Sequence, residues 1–115
     1  MLAPTIQAQL LIDLKPALYA WTMEHRYAKL GIGSRAASNE KHTQLIRSSA
    51  QTLREGGKLR LATGAYELVA RAHAASFVVD ILDVHGECST LTYPSPEDAV
   101  QFLLGSYDGS EPSRH

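Results

Sequence analysis

The chain has 115 residues, of which 44% are hydrophobic and 20% charged, a balance that excludes wholly disordered and fibrous classes at a length one core can hold. No apolar run approaches the roughly 20 residues that span a bilayer, and the first residues have neither the basic nor the apolar stretch of a leader, so none is expected. The single Cys88 can form neither an internal disulfide nor a thiolate metal site by itself, so a cytoplasmic location is expected. The net charge of −1 is unevenly spread: residues 1–60 carry nine Lys/Arg against four Asp/Glu, and residues 61–115 carry two against eight. Two such halves pack together readily in one domain, while the basic half also admits a nucleic-acid partner.

Residues 5–14 fit two periods. Ile6, Ala8, Leu10, Ile12 and Leu14 alternate as in a strand, whereas Ile6, Leu10, Leu11 and Leu14 form a helical stripe, and the Gln, Ala and Leu content favours helix. Pro16 forces a break, after which Ala17, Ala20, Trp21, Met23, Tyr27 and Leu30 continue a helical pattern that Gly31 can end. Residues 31–37 read as a loop. Ser38 is expected to cap the next helix, with Glu40 in its first turn, and His42, Leu45, Ile46, Ser49 and Leu53 on one face until Gly56 and Gly57 stop it.

Beyond Gly57 the period changes to two. Residues 58–63, 66–74, 77–84 and 87–93 read as a four-stranded antiparallel meander joined by two-residue turns at Gly64-Ala65, Ala75-Ser76 and His85-Gly86. The alanine-rich second segment also fits a helix, but a strand gives a consistent register. Leu61 then faces Leu68, Leu59 faces Ala70, and Val79 and Ile81 stand on the same side with Phe77, Ala74 and Cys88. That side is predicted to be the core face. The opposite side carries Arg71 facing Asp80, with Val69, His73, Val78, Leu82, Leu91 and Tyr93 around them. Ser95, Pro96, Glu97 and Asp98 mark the start of a last helix that buries Ala99, Val100, Phe102, Leu103 and Leu104 and ends at Gly105.

The expected fold is therefore α+β: N-terminal helices and a C-terminal helix packed on one face of a four-stranded antiparallel meander. Residues 1–105 form one domain, and residues 106–115 a flexible C-terminal tail.

Few patterns carry chemistry. His85, Glu87 and Cys88 lie near one turn, but strand alternation separates Cys88 from His85 and no second ligand cluster accompanies them, so no metal and no cofactor are expected. Gly31-Ile32-Gly33-Ser34 lacks the strand and the Gly-Lys ending of a phosphate loop. Arg71 and Asp80 form either a cross-strand ion pair or a recognition pair that engages an anion, with His73 beside them. The leading expectation is a non-catalytic binding module that forms a homodimer through the second sheet face, using Arg71, His73, Val78, Asp80, Leu82, Leu91 and Tyr93. One alternative is a nucleic-acid-binding regulator using Lys41, Arg47 and Arg54. Another is a small-ligand pocket protein or small enzyme with Arg71, His73 and Asp80 in its pocket.

Overall fold

A computed structural model describes residues 10–111, which form three helices packed with a five-stranded mixed sheet, an α+β fold. The first strand, β1 (Leu11–Asp13), leads into two successive helices, α1 (Lys15–Lys29) and α2 (Arg35–Arg54). Four strands follow, β2 (Lys58–Ala62), β3 (Tyr66–His73), β4 (Ser76–Asp83) and β5 (Cys88–Tyr93), and α3 (Pro96–Ser106) closes the described chain. Spatial order equals sequence order; β1 runs parallel to β2 and the other three pairs are antiparallel.

The strand at β1 corrects the helical expectation for residues 5–14, of which 5–9 lie outside the described residues. Alternation wins because the edge of β2 completes the backbone bonds that a short helix would have to supply for itself. Lys58 N–H donates to the Leu10 carbonyl at 2.8 Å and Leu14 N–H to the Arg60 carbonyl at 2.9 Å. Leu14 then drops into the core at 2% exposure, and Pro16 occupies the first turn of α1, where no N–H is required.

Both long helices stop by the same device. Gly31 has φ +84, its N–H donates to the Ala28 carbonyl, and Ile32 N–H reaches back to the Tyr27 carbonyl at 2.8 Å. Gly56 repeats this at φ +91, with Gly56 N–H donating to Leu53 and Gly57 N–H to Thr52. These paired bonds satisfy carbonyls that a helix end leaves open, and the left-handed residue between them favours glycine.

The start of α2 is earlier than the expected cap at Ser38. Ser34 is the cap, its Oγ accepting from Ala37 N–H at 3.1 Å, and Ser38 is buried inside the helix at 3% exposure. For α3 the expected cap holds: Ser95 Oγ accepts from Asp98 N–H at 3.2 Å.

Register decides which residues reach the core. The β2–β3 pairing places Leu59 opposite Ala70 and Leu61 opposite Leu68, as the two-residue turn requires. The β3–β4 turn is instead Ala74-Ala75, with His73 opposite Ser76, so Val79 faces Ala70 and Ile81 faces Leu68. This is a slip of two residues from expectation, and it leaves the paired side chains of β3 and β4 on their expected faces while moving Ala74 from the core face into the turn.

The β4–β5 loop has three residues rather than two. Asp83 Oδ1 accepts from His85 N–H at 2.8 Å and from Glu87 N–H at 3.0 Å, while Gly86 takes φ +82. The extra residue moves the ladder by one and reverses β5. Leu91 and Tyr93 therefore stand on the helix-bearing side, opposite Val79 and Phe77, whereas exposed Cys88 stands on the other.

The helices pack on the face bearing Leu59, Leu61, Leu68, Ala70 and Val79. These side chains meet Leu18 of α1, Ala50 and Leu53 of α2 and Ala99, Val100 and Leu103 of α3, none of them more than 2% exposed. Beyond α3, Tyr107 packs on this core and its hydroxyl donates to the Ser110 carbonyl at 2.8 Å. Asp108 Oδ2 accepts from Gly64 N–H at 2.8 Å, tying the segment that sequence assigns to a tail to the β2–β3 turn. Residues 112–115 lie outside the described residues.

Candidate binding face

No described helix lies on the second face of the sheet, which is built from alternate residues of all five strands. Two polar groupings cross it. In the first, Arg60 Nε donates to Glu67 Oε1 at 2.9 Å, and its Nη1 stands 3.7 Å from Asp13 Oδ2, joining β1, β2 and β3. The Glu67 bond, partly opposed by burial, raises the Arg60 pKa above its ordinary value.

The second grouping joins β3, β4 and β5. Arg71 Nε donates to Asp80 Oδ2 at 2.8 Å, and Thr90 Oγ1 donates to Asp80 Oδ1 at the same distance. The Arg71 bond holds the Asp80 carboxyl below the usual range; Thr90 adds to this and partial burial opposes it. The same bond raises Arg71.

Half-buried Val69, opposite both Arg60 and Asp80, separates the two groupings, and further apolar residues stand around them. Val78, opposite Arg71 and flanked by Thr92, is only 4% exposed, while Leu82 is 42% and Val84 71% exposed. His73 lies at the end of β3, exposed, opposite Ser76 rather than near Asp80. Both carboxylate oxygens of Asp80 are engaged by Arg71 and Thr90, so these contacts assemble an ion-pair network, not a His–Asp couple.

The structure thus brings together Arg71, Asp80, Val78 and Leu82 of the expected site, with His73 at its margin. Leu91 and Tyr93 are placed on the opposite face. The Tyr93 ring lies 5.9 Å from Phe102, and burial pushes its hydroxyl pKa up.

Among the basic residues considered for nucleic acid, Lys41 is paired with Glu24 and Arg54 with Glu97. Arg47 is exposed and makes no ion pair among the described residues. Within that same range no group of three or more His, Cys, Asp or Glu is placed to hold a metal ion, and no helix is long and apolar enough to cross a membrane.

One cluster escaped the sequence reading. Trp21 stacks on His25 at 5.1 Å and lies 4.5 Å from the ring of His42, joining α1 to α2. Trp21 Nε1 donates to the Ser38 carbonyl at 2.9 Å, and His25 Nδ1 lies 3.3 Å from Ser38 Oγ. The one mark it leaves in the sequence is the spacing of Trp21 and His25, four apart on one helix. Across the two helices the cluster makes one tilted ring contact, Trp21 on His42, and two part-buried polar contacts to Ser38. The chain matches no protein-family model, and no curated protein or solved structure is significantly similar to it.

Proposed function

We propose that the chain is a non-catalytic interaction module that pairs with a second copy of itself through the uncovered sheet face, and that it works in the cytoplasm. The observation that supports this is the way charge is arranged there. Arg60 is neutralised in the plane of the sheet by Glu67 and Asp13, and Arg71 by Asp80. Covering Arg60 and Arg71 therefore buries ion pairs rather than unpaired charges, which lessens the penalty against such an interface, and exposed Lys58 stands at the start of β2 without an ion pair among the described residues. Exposed Leu82 and half-buried Val69 supply apolar area on this face, with Leu11 half exposed on the β1 margin, while Val78 is already covered by its neighbours.

The reading is tested by sedimentation of the wild type and of Leu82→Lys at tens of micromolar. A wild-type dimer that reverts to monomer on substitution is expected. A wild-type monomer, or an assembly indifferent to Leu82→Lys, overturns it. The nucleic-acid alternative draws less support, because two of its three basic residues already serve intramolecular ion pairs.

A further inference from the structure

The geometry points to a second contact between copies, distinct from the uncovered face: the free edge of β5 pairs antiparallel with β5 of another copy, extending the sheet across a two-fold axis. β5 is the last strand of the sheet, and its outer edge has no backbone partner among the described residues. Its sequence, Cys88-Ser89-Thr90-Leu91-Thr92-Tyr93, has no charge and no proline and is nearly all exposed. Sheet edges are usually guarded by lysine, proline, shortness or a covering element. The other edge follows that rule, since β1 has three residues and includes Asp13. β5 does not.

The backbone pattern suits self-pairing. Asp83 N–H donates to the Glu87 carbonyl at 3.0 Å, which starts the β4–β5 ladder, so alternation turns the backbone groups of Ser89 and Leu91 inward and those of Cys88, Thr90 and Thr92 outward. The outward set is symmetric about Thr90. An antiparallel second copy centred there sets Thr90 against Thr90, and Cys88 against Thr92, in hydrogen-bonded pairs with no like charges opposed.

A second observation favours another copy over an unrelated peptide. That register sets Leu91 of one copy beside Ser89 of the other, on the helix-bearing side. Leu91 is 38% exposed, and Ser89 lines a cleft of about 470 Å³ whose other walls are Tyr66, Leu68, Ile81, Phe102 and Ser106. Each copy so delivers an exposed leucine to the mouth of an apolar cleft on its neighbour.

Two variants test the contact on the full chain. Thr92→Pro removes an outward N–H, which an edge strand tolerates, and is expected to lower the self-associated mass by half while circular dichroism stays unchanged. Thr90→Cys, combined with Cys88→Ser, places two thiols across the axis with their Cα atoms about 5.5 Å apart, within disulfide range. Oxidation with diamide is expected to give a covalent dimer. Wild-type Cys88 is expected to give none, because it lies about 13 Å along the strands from its copy.

A monomeric wild type overturns both contacts. An assembly broken by Leu82→Lys but not by Thr92→Pro, with no Thr90→Cys cross-link, overturns the edge and leaves the face. One broken by Thr92→Pro and cross-linked at position 90 supports the edge, whatever Leu82→Lys does. Capture of an extended peptide by a chain that stays monomeric overturns self-pairing.

Discussion

Arg71 stands opposite Val78 in the β3–β4 ladder, yet its Nε bonds diagonally to Asp80 at 2.8 Å. Diagonal neighbours on one sheet face lie within reach of a long side chain, so a two-residue slip in register preserves the ion pair. The side chains are 36% and 30% exposed, which limits the pair to about 0.5–1 kcal/mol. Asp80→Asn should lower the urea midpoint accordingly at pH 7. Because the folded-state carboxyl is depressed below its ordinary 3.8, its contribution is present above that pH and is lost as pH falls through the lower folded value. The gap between wild type and Asp80→Asn should therefore close in acid; a gap that persists at the lowest pH would assign the effect to something other than charge.

Asp108 gives a second acid-sensitive contact. Its carboxyl is held down to about 2, first by the bond from Gly64 N–H and then by Ser110. The tie is in place above the ordinary value of 3.8 and is released as pH falls through about 2. Asp108→Ala should speed amide exchange at Gly64 at neutral pH while leaving Leu61 in mid-strand protected. Unchanged exchange at Gly64 would show that the turn does not depend on this carboxylate.

Ala74 has φ +53, a left-handed backbone that costs a residue with a Cβ about 1 kcal/mol. Ala74→Gly removes that cost but loosens the unfolded chain, so a net gain of roughly 0.5 kcal/mol is expected. It should appear as a higher urea midpoint at constant m. A lower midpoint would mean that the turn does not hold this conformation in solution.

Leu103 is fully buried where α3 meets the sheet. Leu103→Ala should cost about 2–5 kcal/mol, the range for truncating a packed leucine. A loss below 1 kcal/mol, on the scale of a surface substitution, would place α3 outside the cooperative core.

What the sequence revealed followed from local parity. The core rows of β2, β3 and β4 were legible because a strand's side chains repeat every two residues, and a two-residue slip returns each to its own face. β5 was not legible in this way. Its face depends on whether its loop holds two residues or three, and that is decided by Asp83 accepting two backbone N–H groups beside Gly86. Ser34 and Ser38 are equally good caps by composition, and only the packing that buries Ser38 selects between them. The Arg71–Asp80 pair was legible as a cross-strand contact. The Arg60 grouping needed β1, whose partner lies beyond two helices and leaves no mark on its own three residues.

That distant pairing sets the order in which the molecule opens. β2 through β5 are joined by short loops and can zip together locally, whereas β1 must wait for α1 and α2 to fold across before it finds β2. Its backbone amides should exchange with solvent through openings that leave the meander intact. A passing break of those three pairs would uncover a β2 edge that carries Lys58 and Arg60, two cations of the kind that keep a transiently open strand from recruiting another chain.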